Sequence, residues 1–295
     1  MDRAPRRASR SAAALLVALA VLLTGCEASQ VLPAPSDPPQ LPSAAPQPPS
    51  PARYVGNPGP VLFGTAPLVL YPRTTTARRL TPARYLPLGS LWVDPLTQRI
   101  EPVLGDLSRT AVLIGDSQSA PRDSWVRGGL RGAGYSVYFA GAGGTGYSVG
   151  NRRTHAYVEA LRRGDWRLPA GIPRLVVVEG GGNDASRGSG NAAIAAGAKS
   201  LVAELRRTYP GSRIVMVGTL AKAAADGGGR RTRVDTLLRR TADGLGVPFI
   251  SCGDWISRYH LKNQLADGVH LKPAGRARLA PVLTAALRKL GVGIT

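Results

Sequence analysis

Short apolar runs alternate with longer segments of helical periodicity along the C-terminal two thirds of the chain. Five runs have the length and the β-branched content of buried strands: residues 111–115, 135–140, 174–179, 213–218 and 247–251. Between and after them, three segments repeat their apolar positions at helical spacing: residues 192–209, 231–246 and 273–290. Mostly apolar strands alternating with helices predict an α/β fold in which helices cover both faces of a mostly parallel five-stranded sheet.

The part of the chain before residue 110 divides into three further segments. Residues 1–25 have a basic start and an apolar stretch at 12–23, which is short for a membrane span and typical of an export signal. Residues 26–60 are rich in proline and lack periodicity, which predicts an extended, solvated tether. Residues 61–109 contain short β-like runs broken by Pro and Gly, so we expect an extended arm packed on the main domain, residues 110–295.

The export signal ends in Leu-Thr-Gly-Cys, and the cysteine is Cys26. This ending resembles the bacterial lipobox, in which the cysteine receives lipid and becomes the first residue of the mature chain. The alternative is an ordinary secretory signal with a chance cysteine. We expect a protein anchored by lipid to the extracytoplasmic face of the cell membrane. Cys252 is then left without an intramolecular partner, and its apolar neighbours predict a core residue rather than a nucleophile.

The formal net charge of +20 indicates an anionic neighbourhood for this protein. The basic residues are scattered, and no basic stripe is interleaved with aromatic residues, so we expect no nucleic acid partner. An exported chain meets anionic lipid headgroups and acidic envelope polymers first. We expect it to be a monomer.

A glycine-rich segment at residues 141–146 fits the pattern G-x-G-x-x-G of dinucleotide-binding loops. It follows the second strand of the sheet rather than the first. The acid that closes the next strand, Glu179, also comes well beyond the roughly 20 residues expected of a dinucleotide site. We therefore expect a tight glycine turn, structural or catalytic, and no cofactor.

Three other positions carry candidate chemistry. The first strand runs into Gly-Asp-Ser, so that the Asp-Ser pair either caps the next helix or presents Ser117 at the edge of the sheet. Asn183 follows three glycines after the third strand and is either a turn residue or a neutral donor to an oxyanion. Asp267 lies three residues before His270, a spacing at which a carboxylate can orient an imidazole.

The remaining histidines suggest no chemistry. His155 is expected on a polar helix face, and His260 at the surface or in packing. With three histidines in the chain and no second cysteine near any of them, we expect no metal site.

Four blocks follow one another along the chain: Gly-Asp-Ser with Ser117, the glycine-rich segment 141–146, the segment with Asn183, and Asp267 with His270. Taken in this order, they resemble the SGNH, or GDSL-type, hydrolase family over about residues 110–292. The resemblance implies a flavodoxin-like three-layer α/β/α sandwich. It also implies an esterase, lipase, thioesterase or carbohydrate deacetylase, since members of the family have these activities.

The resemblance assigns roles by position. Ser117 is the nucleophile, His270 the general base and acid, and Asp267 the partner that orients His270. The donors to the oxyanion are the backbone N–H of Ser117, the side chain of Asn183 and the backbone N–H of a glycine in the second block. Gly146 fits this last position best.

Gly143 and Gly144 are the rivals for the oxyanion donor of the second block. Two departures from the family pattern leave the loop geometry open. Gln118 stands where the family often has leucine, and Gly141 or its neighbours stand where it often has asparagine.

The sequence therefore predicts a cell-envelope serine ester hydrolase that acts through an acyl-enzyme, on an ester substrate of the envelope. Two alternatives stay open: a non-catalytic module that binds an envelope glycan or lipid, and an acyltransferase that uses the same residues.

Overall fold

The computed structural model describes residues 86–95 and 97–294 of the protein. The strands are β1 (Leu91–Val93), β2 (Ile100–Pro102), β3 (Thr110–Gly115), β4 (Ser136–Gly141), β5 (Leu175–Glu179), β6 (Arg213–Val217) and β7 (Phe249–Ile250). The helices are α1 (Trp125–Gly132), α2 (Tyr157–Arg163), α3 (Gly182–Ser186), α4 (Asn191–Thr208), α5 (Gly229–Gly244), α6 (Trp255–Arg258) and α7 (Pro273–Lys289). The predictions of an export signal, a lipidated Cys26 and a tether concern residues 1–60, which lie outside the described residues.

The main sheet has five strands in the order β4-β3-β5-β6-β7, and every neighbouring pair is parallel. The chain runs outward from β3 to β4 and then returns past β3 to β5. This reversal of strand order creates a crevice outside the carboxyl ends of β3 and β5, where open α/β sheets bind their ligands. The order is that of a flavodoxin-like sheet.

Two apolar layers lie against the two faces of the sheet. Alternate residues of β3 point to opposite sides: Val112 and Ile114 pack with α2, α4 and α5, whereas Ala111 and Leu113 pack with α1 and α7. All four side chains are fully buried, which accounts for the unbroken apolar run in the sequence. The prediction of a three-layer α/β fold with a parallel five-stranded sheet is confirmed.

The last strand of the sheet is shorter than predicted. The sequence predicted a strand over residues 247–251, whereas β7 covers only Phe249–Ile250. It lies at the edge of the sheet and pairs only with β6. Pro248 accepts a hydrogen bond from Met216 N at 2.9 Å but has no N–H to donate, so regular pairing does not extend toward the N-terminus.

Strands β1 and β2 form an antiparallel hairpin that precedes the main sheet. Arg99, directly before β2, donates to Thr208 Oγ1 at 2.8 Å and pairs with Glu204, both on α4. The carbonyl of Pro102 accepts from Ala170 N at 3.0 Å. The hairpin covers only part of the arm predicted over residues 61–109, because residues 61–85 lie outside the described ranges.

No helix in the described ranges is both long and apolar enough to cross a membrane.

Candidate active site

A tight turn at the carboxyl end of β3 presents Ser117. The backbone N–H groups of Ser119 and Ala120 both donate to the carbonyl of Asp116, at 3.1 and 3.0 Å, and so close the turn. Gly115 permits it, because a Cβ at this position would lie only 2.5 Å from Ser119 Oγ. Ser117 is partly exposed at the edge of the sheet, and the residue that caps the N-terminus of α1 is Ser124, so the Asp-Ser pair does not cap that helix.

Ser117, His270 and Asp267 form one hydrogen-bonded chain. His270 Nε2 lies 2.8 Å from Ser117 Oγ, and His270 Nδ1 lies 2.7 Å from Asp267 Oδ2. Since the carboxylate only accepts, Nδ1 carries the proton and Nε2 presents its lone pair to the serine hydroxyl. The structure thus brings together the three residues that the sequence singled out, in the geometry of a nucleophile, a base and an orienting acid.

Asp267 is held in its ionised form by the groups around it. The hydrogen bond from the His270 side chain, followed by that from the His270 backbone N–H, lowers the pKa of Asp267 to about 2. Its other oxygen, Oδ1, accepts from the backbone N–H groups of Val269 and His270 at 3.2 and 2.8 Å. The carboxylate therefore stays charged throughout the neutral and mildly acidic range.

The glycine loop after β4 lies against the nucleophile, but through a different glycine from the one ranked first. The Gly146 N–H already donates to Val149 O at 2.8 Å. Gly143 lies closest to the serine, since a Cβ at this position would be 3.5 Å from Ser117 Cβ. The Gly146 N–H is therefore engaged within its own loop, whereas Gly143 lies beside Ser117. Which glycine of this block donates to the oxyanion stays a prediction.

Asn183 lies between the nucleophile turn and the glycine loop. Its Nδ2 donates to Asp116 Oδ2 at 3.0 Å and to Thr145 O at 2.9 Å. These two contacts use both amide hydrogens, so Asn183 would have to release one acceptor before it could donate to an oxyanion.

Asp184, the next residue, anchors the glycine loop. Its side chain is fully buried and accepts from Tyr147 N at 3.0 Å, Ser148 N at 2.8 Å and Ser148 Oγ at 2.6 Å. Gly146 is required beside it, because a Cβ there would lie 2.1 Å from Asp184 Oδ2. Sequence reasoning missed this role, although the adjacent Asn-Asp pair after a buried strand was the available signal.

A buried pair of acids lies beneath the nucleophile turn. Burial raises the pKa of Asp116 to about 6, and burial together with the neighbouring Asp116 charge raises the pKa of Glu179 well above its usual range. Glu179 Oε2 accepts from Ser119 Oγ at 2.8 Å. Arg231 partly offsets the repulsion, and its guanidinium donates to Leu220 O and Gly182 O. The sequence identified Glu179 only as the residue that closes a strand.

The other two histidines lie apart from this chain of residues. His155 precedes α2 instead of lying on a helix face, and its Nδ1 is 2.8 Å from Asp165 Oδ2. His260 is exposed, with a positive φ of 53°. Within the described residues, no group of three or more His, Cys, Asp or Glu side chains is arranged to hold a metal ion.

A comparison with known protein families supports the family resemblance found from the motifs. The sequence profile of the GDSL-like Lipase/Acylhydrolase family matches residues 108–278. No curated protein sequence matches the chain significantly.

Among solved structures, a family two carbohydrate esterase from Clostridium thermocellum in complex with cellohexaose has a TM-score of 0.49 and 18% identity, covering 66% of this chain and 68% of its own. A carbohydrate acetylesterase from Sinorhizobium meliloti has a TM-score of 0.45 and 19% identity, with 62% and 100% covered. The aryl esterase of M. smegmatis has a TM-score of 0.44 and 19% identity, also with 62% and 100% covered.

Proposed function

Because this chain belongs to the GDSL-like lipase/acylhydrolase family and is a serine ester hydrolase, we propose that it cleaves esters of the cell envelope through an acyl-enzyme on Ser117. The observation that carries the mechanism is the hydrogen-bonded chain from Ser117 Oγ through His270 to Asp267. A serine hydroxyl is a weak nucleophile by itself, and an adjacent base held by a third group is what activates it.

In the proposed first half of the reaction, Ser117 Oγ attacks the ester carbonyl carbon while its proton passes to His270 Nε2. Asp267 stabilises the imidazolium that results. The tetrahedral intermediate then expels the alcohol, which takes the proton from His270 Nε2 as its bond to the carbonyl carbon breaks. The acyl group remains on Ser117.

In the second half, water attacks the acyl carbon and gives a proton to His270 Nε2. Collapse of the second tetrahedral intermediate breaks the bond to Ser117 Oγ, which recovers its proton from His270. The products are a carboxylic acid and the free enzyme. If a sugar hydroxyl takes the place of water, the same residues carry out acyl transfer.

The negative charge on the ester oxygen needs donors that are already in place. We assign this role to the backbone N–H groups of Ser117 and Gly143 and to Asn183 Nδ2. Gly143 is chosen for its position against Ser117. Asn183 exchanges one of its present acceptors, Asp116 Oδ2 or Thr145 O, for the oxyanion. In this proposal the two backbone N–H groups are the preorganised donors, and donors of this kind commonly supply the largest part of the stabilisation of an acyl-transfer transition state.

The test of this function compares wild-type full-length protein with Ser117→Ala, using chromogenic esters from acetyl to long acyl chains and a fluorophosphonate probe. Wild-type protein should hydrolyse at least one ester and be labelled by the probe, whereas Ser117→Ala should do neither while keeping its far-UV circular dichroism. Absence of labelling in the wild type, together with measurable glycan or lipid binding, would instead support a binding module. Ester formation on an added sugar would indicate acyl transfer.

The location at the envelope rests on Cys26 and the tether rather than on the active site. We propose that Cys26 carries lipid and that residues 26–60 space the catalytic domain from the membrane. Two or more acyl chains anchor a protein stably, whereas a single chain binds only marginally.

For location, Cys26→Ala should leave ester hydrolysis intact but release the protein from membranes or block its processing. Fractions are washed in high salt, because the surplus of arginine can hold protein on anionic lipid electrostatically. Wild-type protein that washes off, or a mature N-terminus elsewhere than Cys26, would contradict the lipid anchor and leave the hydrolase proposal standing.

A further inference from the structure

Gln118, directly after the nucleophile, forms a buried bridge to the loop that carries His270. Its Nε2 donates to Val269 O at 2.8 Å, and its Oε1 accepts from Trp125 Nε1 at 3.3 Å. Only 7% of its surface is exposed. Since an indole N–H can only donate and a backbone carbonyl can only accept, these partners determine the orientation of the amide.

The carbonyl that Gln118 holds belongs to the peptide group that joins Val269 to His270. The N–H of the same peptide group, on His270, donates to Asp267 Oδ1 at 2.8 Å. This rigid, planar unit is therefore held at both ends. Because the Cα of His270 is bonded directly to it, its orientation helps to decide where the imidazole points.

The loop has few other supports at its tip. Ala266, Asp267 and Gly268 are all exposed, and the loop is closed by the hydrogen bond from Ala266 N to His270 O at 2.7 Å. Hydrogen bonds within the loop define its shape but not its position relative to Ser117. The bond from Gln118, 151 residues away in the sequence, ties the loop to the nucleophile turn.

The other end of the bridge rests on the core. Trp125 is fully buried at the start of α1, and its ring packs edge-on against Trp255, with centroids 5.7 Å apart. A side chain fixed in this way moves little. The Gln118 amide, held by Trp125, therefore fixes the carbonyl of Val269 relative to the core.

We propose that Gln118 is a positioning residue that sets His270 Nε2 at hydrogen-bond distance from Ser117 Oγ. This inference rests on the proposed function. A leucine, which the family resemblance would favour at this position, could occupy a similar volume but would leave the carbonyl of Val269 and the indole N–H of Trp125 without their present partner. Gln118 thus makes directional hydrogen bonds where a leucine would make only apolar packing contacts.

The experiment uses full-length protein and compares wild type with Gln118→Leu on the best ester found in the panel. The turnover number kcat should fall at least tenfold, since a misplacement of about 1 Å in a catalytic group costs roughly 10²-fold. KM should stay within about twofold, because Gln118 is buried and does not meet the substrate. The rate of inactivation by the fluorophosphonate should fall in parallel with kcat.

A double mutant separates positioning from general structural damage. If Gln118 acts through His270, its loss should have no further effect once the imidazole is gone, so His270→Ala and the double variant should show the same residual labelling rate. A purely structural effect would lower the rate in both backgrounds. Gln118→Met, similar in shape but without a donor, repeats the comparison if the leucine variant folds poorly.

Tyr209→Phe is the matched control, because it also removes a buried bond from a side chain to a carbonyl, that of Pro169 at 2.8 Å. It should lower the melting temperature but leave kcat unchanged. A kcat of Gln118→Leu within twofold of wild type, or a loss no greater than in the control, would overturn the inference while hydrolysis remained established. A wild-type protein inert to both ester and probe would overturn the proposed function and this inference with it.

Discussion

Replacing Asp184 by asparagine should destabilise the protein and slow catalysis together, although Asp184 is not part of the Ser117–His270–Asp267 chain. The fully buried carboxylate accepts three hydrogen bonds from Tyr147 and Ser148, and so fixes the loop that carries Gly143. Asparagine has one accepting oxygen. If that oxygen keeps the contacts to Ser148, the amide nitrogen faces the N–H of Tyr147, and two donors oppose each other.

The size of the effect follows from these contacts. A hydrogen bond to a charged group contributes about 1.5–3 kcal/mol, so loss of the Tyr147 contact and weakening of the two others removes roughly 3–5 kcal/mol. The easier burial of a neutral amide returns about 1–2 kcal/mol. The free energy of unfolding should therefore fall by about 1–4 kcal/mol. For a domain of this size, that corresponds to a decrease in melting temperature of roughly 2–16 °C.

Catalysis should change because the loop shifts. Displacement of Gly143 moves a proposed oxyanion donor relative to Ser117, and kcat should fall by about 10- to 100-fold. Thermal and urea unfolding give the stability, and steady-state hydrolysis at a temperature well below the transition gives kcat.

Asp235→Asn is the matched control for this prediction. Asp235 is also buried, and it accepts from Ser251 Oγ and from Cys252 N, away from the nucleophile turn. The Asp235→Asn variant should lose a comparable free energy of unfolding and keep the kcat of the wild type. Wild-type stability in Asp184→Asn, or equal losses of kcat in both variants, would show that Asp184 does not act by holding the loop.

Three further outcomes are expected. Asn183→Ala should lower kcat by about 10²–10³-fold with little change in KM, measured by steady-state hydrolysis; an unchanged kcat would remove it from the oxyanion site. Asp267→Asn should lower kcat by up to about 10⁴-fold, while differential scanning calorimetry shows little loss of stability because the carboxylate is 56% exposed; a large drop in melting temperature would contradict this. Burial raises the pKa of Asp116 to about 6 and that of Glu179 well above its ordinary value, so these two groups hold more protons in the folded protein than in the unfolded chain as the pH rises from about 4 toward their raised pKa values. The stability of the protein should fall as the pH rises through that range. Glu179→Gln should reduce this slope in urea titrations, and an identical slope would refute the buried acid pair as its source.

Local pattern was enough to predict the architecture, and the order of the motifs, through the family resemblance, predicted that Ser117, His270 and Asp267 act together. Apolar runs identify strands because a strand buried on both faces has no polar position, and parallel pairing then brings all carboxyl ends to one edge. Ser117 and Asn183 each follow such a strand, so their convergence did not depend on details of packing. The short spacing between Asp267 and His270 likewise allowed contact within one loop, and the structure shows it at 2.7 Å.

Tertiary structure alone decided which hydrogen-bonding groups already have a partner within the protein. The sequence pattern favoured Gly146 over Gly143 as an oxyanion donor, yet the N–H of Gly146 donates to the carbonyl of Val149, and only the folded structure shows this. Val269, which accepts from Gln118, lies 151 residues away from it, and the partners of Asp184 lie 36 or 37 residues away, beyond the reach of any periodicity. Hydrogen bonding depends on differences of a few tenths of an ångström in the distance between donor and acceptor atoms from different elements. The order of residues therefore determined the fold and singled out Ser117, Asp267 and His270, whereas the folded chain determined the contacts that position them.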